Sequence, residues 1–268
     1  EKPFFDHHLL GAPDPKLPEA FVFDTGSNEW RRFDAWPPRG TGDRQLVFMP
    51  AGDLHLRDGG GGNEGIVATF VSDPSKPVPH TQSIAIGMNK EYMAEDQRFA
   101  ARRPDVVTFR TDPLDSDTTI VGSPLVSLLA ATDGSDADWI VKLVDVFPDD
   151  AADPEDAPLV AGQRMGGYHM LVRGEVMPGR FRDGFEKAVP SEPGVGDEIK
   201  FSLGDVVHTF RKGHRIAVQV QSTWFPLVAL NPQVFRPDPW AAKPAEMQAA
   251  THSLDSGSML HIRVITGG

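Results

Sequence analysis

Short apolar runs separated by turn-forming residues constrain the fold of this chain more than any other feature. The 268 residues include 26 Gly and 24 Pro, which together with Asp and Asn interrupt the apolar runs along most of the chain. Pro and Gly mark turns and break helices, and many short runs between turns are typical of an all-β protein. The predicted strands are residues 20–23, 45–49, 66–71, 106–110, 125–131, 139–147, 168–176, 198–203, 215–222 and 259–265.

Two of these runs indicate how the sheets pack. Ile216, Val218 and Val220 stand at every second position, so they share one face of a strand. Residues 140–146 are apolar on both faces apart from Lys142 and Asp145, which predicts a strand largely buried on both faces. The connections are very uneven in length, which favours a two-sheet β-sandwich of the jelly-roll type over a closed barrel.

A short helix is predicted at the start of the chain. Phe4, Phe5, Leu9 and Leu10 follow helical spacing, and Gly11 ends the segment in the usual way. A helix this short is not stable in isolation. We therefore expect it to belong to a larger body upstream.

Charge and composition exclude several classes of function. The net charge of −12 opposes nucleic-acid binding. The densest basic cluster is Arg98, Arg102 and Arg103, whose acidic neighbours indicate an ion-paired junction rather than a phosphate-binding patch. No apolar run approaches the roughly 18 residues of a membrane span. We expect a soluble protein, and the sequence leaves open whether a bacterial-type host would keep it in the cytoplasm, export it to the periplasm or secrete it.

No cofactor or metal is predicted. The chain has no Cys, which removes thiolate ligands and thiol nucleophiles. Its histidines show no His-x-x-x-His or His-Glu-x-x-His spacing, and the acidic positions Asp133, Asp136 and Asp138 do not follow the spacing of a calcium loop. A tight turn between two strands explains that acidic run equally well.

The chain also lacks the nucleophile of a serine esterase. An α/β-hydrolase needs a serine on a Gly-x-Ser-x-Gly elbow, and none of Ser123, Ser135 or Ser256 stands between two such glycines. No catalytic residue is therefore assigned, and we expect the chain alone to be inert towards esters and X-Pro amides.

Several blocks of sequence nevertheless resemble one group of enzymes in their order. The blocks are residues 5–11 (FDHHLLG), 23–31 (FDTGSNEWR), 95–109 (EDQRFAARRPDVVTF), 138–148 (DWIVKLVDVFP), 210–216 (FRKGHRI) and 219–226 (QVQSTWFP). Together they resemble the C-terminal part of cocaine-esterase-like enzymes, X-Pro dipeptidyl-peptidases and α-amino-acid ester hydrolases of the glutaryl cephalosporin acylase type.

The resemblance implies a domain organisation and a partner. Residues 1–16 would be the tail of an α/β-hydrolase domain that carries the catalytic triad upstream, and residues 17–268 would form a galactose-binding-like jelly roll. That upstream domain would be the partner, and a homo-oligomer is possible. An apolar patch is expected where the partner would pack, near the first helix, residues 23–36 and residues 87–99.

The resemblance also implies roles for a few residues. Tyr92 and Met93 would help to wall the acyl pocket, or else serve as core or interface residues. Arg98, Arg102, Arg103 and Asp105 would form a structural junction between the domains, with charge-assisted bonds from the three arginines.

A free-standing β-sandwich that binds a ligand or a carbohydrate is the alternative, since fold alone does not decide function. Such a site would need exposed aromatic side chains. The candidates are Trp30, Trp36, Trp139, Trp224 and Trp240. Trp139 and Trp224 lie within apolar strand patterns and are expected to be buried.

Overall fold

The computed structural model describes residues 1–60, 65–83, 90–155 and 163–266. Two α-helices and fourteen strands lie within these ranges. The helices are α1 (Lys2–Leu10) and α2 (Arg98–Ala101). The strands are β1 (Ala20–Asp24), β2 (Glu29–Phe33), β3 (Thr41–Phe48), β4 (Leu54–Arg57), β5 (Ile66–Ser72), β6 (Val106–Arg110), β7 (Thr118–Thr132), β8 (Asp138–Val146), β9 (His169–Pro178), β10 (Asp197–Ser202), β11 (Val206–Phe210), β12 (Arg215–Gln221), β13 (Ala250–Asp255) and β14 (Met259–Ile265).

The larger sheet is built around the long strand β7. Its strand order is β4-β3-β14-β7-β13-β5, and β10 and β11 also pair with β7. The first part of β7 pairs with β11 and the second part with β10. Gly122 is the last residue of the first part and has φ 79°, a backbone conformation that glycine adopts without strain.

The smaller sheet has the order β6-β12-β8-β9, and its strands are antiparallel. Its inner face packs on the larger sheet, with Phe48 of one sheet stacked on Phe109 of the other at 4.4 Å between ring centroids. Further core residues come from both sheets, among them Leu46, Leu128, Leu260, Trp139, Leu143 and Val218. The predicted all-β sandwich is therefore confirmed.

Strand β8 is buried on both faces along its whole length, as predicted. Its outer face carries Lys142, which is fully buried. The Lys142 ammonium donates to Gln97 Oε1 at 3.1 Å and lies 4.5 Å from the Trp224 ring centroid. Burial lowers the pKa of Lys142 to about 7. The segment that carries Gln97 thus covers this sheet.

Strands β1 and β2 form a separate hairpin that is held to β11 by Asp24. The buried Asp24 carboxylate accepts hydrogen bonds from the backbone N–H groups of Gly26, Ser27 and Thr209 at 2.9–3.1 Å. Arg31 Nε lies 3.0 Å from the same carboxylate. This one side chain therefore fixes both the turn of the hairpin and its position on the sandwich.

Four strands were absent from the sequence prediction: β2, β4, β11 and β13. Strand β2 is the charged sequence EWRRF, and β4 has only four residues. Strands β11 and β13 carry buried His208 and His252 where an apolar residue would be expected. Helix α1 forms as predicted, and none of its residues is buried.

Candidate functional site

The exposed side of strand β9 carries the most extensive candidate site. Strand β9 ends the smaller sheet, and within the described ranges it pairs with β8 alone. Three adjoining cavities of about 460, 320 and 440 Å³ follow it. The first two share Val172 and Arg173, and the second and third share Val176 and Val228. We call the residues that line these three cavities the β9 edge surface.

The first cavity lies between the β1–β2 hairpin and β9. Phe23 and Trp36 line it together with Val207 of β11. Phe23 is exposed and its ring packs on Trp30 at 5.5 Å between ring centroids, and the Phe21 ring packs on Trp30 at 4.9 Å. The hairpin thus presents a cluster of three exposed aromatic rings.

The second cavity contains both residues that the sequence placed at a pocket wall. Tyr92 and Met93 line it with Trp224 of the segment after β12. The Tyr92 ring meets the Trp224 ring edge-to-face at 6.4 Å, and Met93 is 60% exposed. Residues 87–89 of the loop that leads to them lie outside the described ranges.

The third cavity combines an exposed aromatic ring with buried polar groups. Trp240 is exposed, whereas Asp138 and Asn231 are buried, and Asn231 Nδ2 donates to Asp138 at 2.8 Å. Burial raises the pKa of Asp138 to about 7, and the Asn231 hydrogen bond opposes this rise. The buried Arg180 is paired with Asp136 beside it.

The arginine cluster is divided between two sets of contacts. Arg98 Nε donates to Asp96 at 2.6 Å, and a second nitrogen donates to the Gly166 carbonyl at 2.9 Å. Arg103 forms a two-pronged pair with the largely buried Asp105 at 2.7–2.8 Å and also donates to the Lys76 carbonyl. The charge-assisted bonds expected of Arg98 and Arg103 are therefore present.

Arg102 differs from its two neighbours. Its side chain is exposed and makes no hydrogen bond or ion pair with any described residue. The prediction of a charge-assisted bond for Arg102 was therefore wrong, because this side chain follows the end of α2 and stands exposed to solvent. Arg102 instead lines a separate cavity with Arg98.

A buried polar chain near the hairpin was not found by sequence reasoning. Thr25 Oγ1 lies 2.7 Å from His208 Nδ1, and His208 Nε2 lies 3.1 Å from Asp145. His214 Nδ1 contacts the same carboxylate at 2.9 Å. The order hydroxyl, imidazole, carboxylate is that of a catalytic triad, but here it ties the hairpin turn to β11 and β8, and Asp145 is shared with a second imidazole.

The acidic run after β7 does not assemble into a metal site. Asp133 accepts from the Thr251 backbone N–H, Asp136 pairs with Arg180 and Asp138 with Asn231. Across the described ranges, no group of three or more His, Asp or Glu side chains is placed to hold a metal ion. In the same ranges, no helix is long and apolar enough to span a bilayer.

Comparison with known proteins agrees with the order of the sequence blocks. Residues 15–264 match the family described as the X-Pro dipeptidyl-peptidase C-terminal non-catalytic domain. The chain is 29% identical over 234 residues to a cocaine esterase from Rhodococcus sp. (strain MB1 Bresler), a match that covers 84% of this chain and 38% of the esterase.

Two solved structures share the fold. An aminopeptidase from a marine sediment Thaumarchaeota archaeon superposes with a TM-score of 0.87 at 36% identity. An α-amino acid ester hydrolase superposes with a TM-score of 0.82 at 35% identity. Each match covers 98% of this chain and 43% of the other, so the chain spans less than half the length of these relatives. The chain belongs to the family of X-Pro dipeptidyl-peptidase C-terminal non-catalytic domains, which confirms the resemblance seen in its sequence.

Proposed function

We propose that this chain packs on the α/β-hydrolase catalytic domain of the same protein through the β9 edge surface and helps to wall the acyl pocket. The observation that carries the proposal is the edge of β9 itself. An edge strand leaves a row of backbone N–H and C=O groups without strand partners, and proteins usually cover such edges. Here Phe23, Met93 and Trp240 stand exposed along it, as at surfaces that bury apolar area against a partner.

Tyr92 and Met93 are the residues that we place against the acyl group. The Tyr168 hydroxyl donates to the Ala94 carbonyl at 2.7 Å, and Arg98 ties the next turn to the backbone at Gly166. These bonds anchor the base of the loop and leave the Met93 side chain free at the mouth of its cavity. An unbranched thioether adapts to acyl groups of different shape. Arg98, Arg103 and Asp105 act as the structural junction that positions this loop.

Association of the two domains tests the proposal. The catalytic domain, produced separately, would be titrated with this chain in a calorimeter. Met93→Asp should weaken binding at least tenfold, because it puts a charge into an apolar interface. Ile66→Asp is the matched control, since Ile66 is 61% exposed but lies on β5 of the other sheet. Equal effects of the two substitutions would overturn the assignment of the interface.

The acyl-pocket role needs a separate measurement in the assembled enzyme. Met93→Ala should change KM for a series of acyl groups of increasing size while domain association stays intact. A series of KM values unchanged across all acyl groups would leave Met93 as an interface residue only.

A second candidate function rests on the third cavity. The exposed Trp240 ring beside the buried Asp138–Asn231 pair offers an apolar face and polar groups together, which is what binding of a sugar or another small ligand requires. Titration of the chain with a sugar panel, with and without the catalytic domain, separates the two functions. The ligand-binding module would be favoured if the chain binds a sugar, if Trp240→Ala abolishes this binding, and if the catalytic domain does not block it.

A further inference from the structure

A cationic cavity of about 590 Å³ shares no lining residue with the β9 edge surface. Four arginines from three parts of the chain line it: Arg98 and Arg102 at α2, Arg110 at the end of β6, and Arg215 at the start of β12. His169 at the start of β9 lines the same cavity. Four guanidinium groups around one cavity repel one another, and they do so in a chain with a net charge of −12.

Two of the four arginines are paired with protein groups. Arg98 is paired with Asp96, and Arg215 donates to the Thr111 carbonyl at 2.8 Å. The Asp112 carboxylate near Arg215 is 3.7 Å away and fully exposed to solvent, so water screens that contact strongly. Among the residues that line the cavity, Asp149 carries the one carboxylate.

The other two arginines keep their donors free. Neither the Arg102 nor the Arg110 side chain makes a hydrogen bond or ion pair with any residue in the described ranges, and both residues are exposed. A guanidinium presents a planar fork of N–H groups that fits two oxygens of one carboxylate or phosphate. Two such forks on one cavity wall match a group with several acceptor oxygens.

His169 adds a third donor or acceptor to the same cavity. Its Nδ1 atom is buried and has no hydrogen-bond partner in the described part of the chain. Burial lowers the pKa of His169 to about 4, Asp96 opposes this, and Arg98, Arg110 and Arg102 lower the pKa further. The arginines and His169 line this cavity from separate elements, and the imidazole is neutral at pH 7.

We propose that this cavity is a binding site for a small oxyanion, held by Arg102 and Arg110 with Arg98, Arg215 and His169 around it. The shared chemistry is a group with at least two acceptor oxygens, either a phosphate or a carboxylate of a polyacid. Bound there, the anion would offset the repulsion between the arginines and tie α2 to β6 and β12.

Calorimetric titration of the 268-residue chain tests the site, with inorganic phosphate in one arm and citrate in the other at constant ionic strength. The wild-type chain should bind at least one of the two. The double variant R102Q/R110Q should bind at least tenfold more weakly. The control R32Q/R39Q removes the same charge from two exposed arginines outside the cavity, and its binding should not change.

Each outcome of this titration either identifies the class of ligand or overturns the proposal. Binding of phosphate alone assigns a phosphate ligand, and binding of citrate alone assigns a polycarboxylate. The variant R102K/R110K keeps the charge but loses the planar forks, so weaker anion binding by this variant than by the wild type supports bidentate recognition. The same variant replaces R102Q/R110Q in the test if R102Q/R110Q does not fold. No binding of either anion by the wild type, or equal binding by wild type and R102Q/R110Q, would overturn the proposal.

A spectroscopic readout supplements the titration. An anion next to His169 stabilises the imidazolium, so the pKa of His169 should rise from about 4 when the site is filled. The histidine proton signals would be followed with and without the anion from about pH 3.5 to about pH 8, which spans the usual range of imidazole pKa values. They should show this rise. An unchanged His169 titration in the presence of a bound anion would place that anion elsewhere.

Discussion

The buried carboxylate of Asp24 shows how much one residue organises in this chain. Its position at the end of β1 lets it collect backbone donors from its own turn and from β11. Burial by itself raises the pKa of Asp24. Hydrogen bonds from Thr209, Ser27 and Gly26 outweigh the effect of burial and hold the pKa below its ordinary value. The charged form is therefore the one that the fold requires.

Asp24→Asn should destabilise the chain by about 2–3 kcal/mol at pH 7, because several hydrogen bonds to a charged group are weakened together. The folded-state pKa is depressed, so the stability contributed by the charge is present above the unfolded pKa and is lost as pH falls through the folded pKa. The difference from wild type should therefore shrink below about pH 4. Urea unfolding at several pH values measures this. The exposed Asp34 gives the control Asp34→Asn, and equal effects at both positions would contradict the argument.

Asp138 has the opposite pH dependence. Its folded pKa of about 7 lies above the unfolded value, so between about pH 4 and pH 7 the native state holds the extra proton and stability falls as pH rises. Asp138→Asn removes this titration while an oxygen still faces Asn231. Relative to wild type, the variant should gain about 1–4 kcal/mol between pH 4.5 and pH 8. A constant difference across that range in urea unfolding would show that Asp138 titrates normally.

At the scale of strands, the sequence predicted those with an apolar run and missed the charged β2, the short β4, and β11 and β13, which carry buried histidines. All of the predicted runs overlap an observed strand, because their apolar side chains report burial directly. Strands β11 and β13 carry His208 and His252, and only the folded chain supplies the Asp145 carboxylate or the rings of Phe70 and Trp139 that accommodate them. Their partners are far away along the chain, so no local pattern indicates them.

The same distinction applies to the candidate site. The carboxylate partners of Arg98 and Arg103 stand two residues away from them, so the neighbouring acidic residues were enough to predict an ion-paired junction there, without the individual pairs. Thr25 and His208 are separated by 183 residues, and Arg102 and Arg110 meet Arg215 only through the folding of the small sheet. The hydrogen-bonded chain and the cationic cavity therefore required the structure.

Gly174 links strand β9 to the aromatic pair that supports the proposed pocket wall. A Cβ atom at this position would lie 3.0 Å from one carbon of the Trp224 ring and 3.3 Å from Lys142 Cγ. Gly174→Ala should displace the Trp224 ring, weaken its contact with Tyr92 and cost about 1–3 kcal/mol of stability. Near-ultraviolet circular dichroism and urea unfolding measure the two effects.

Gly196→Ala is the matched control for this change. The nearest atom to a Cβ at Gly196 is Asp255 Oδ2 at 3.8 Å, an ordinary contact. A loss of stability or a spectral change as large as that of Gly174→Ala would show that the Trp224 contact is not the cause.

At the scale of the whole molecule, two groups of apolar side chains stand outside a well-packed sandwich. Helix α1 exposes Phe4, Phe5, Leu9 and Leu10, and the hairpin exposes Phe21, Phe23 and Trp30. All of them except Phe21 lie in segments predicted from the sequence to face a partner. An exposed aromatic cluster of this kind is uncommon on a chain that functions as a monomer without a partner.

The isolated 268-residue chain should therefore self-associate, and the catalytic domain should prevent it. Sedimentation should show a weight-average mass that rises with concentration, because apolar surface buried between two copies is removed from water. Trp30→Ser should weaken this association by removing the central ring of the hairpin cluster. Ile66→Ser is the control, because its exposed fraction of 61% is close to the 62% of Trp30. Two outcomes would show that the hairpin surface needs no partner: a chain that stays monomeric at all concentrations, or equal effects of the two substitutions on self-association. A ligand-binding module would then be the better account of the domain.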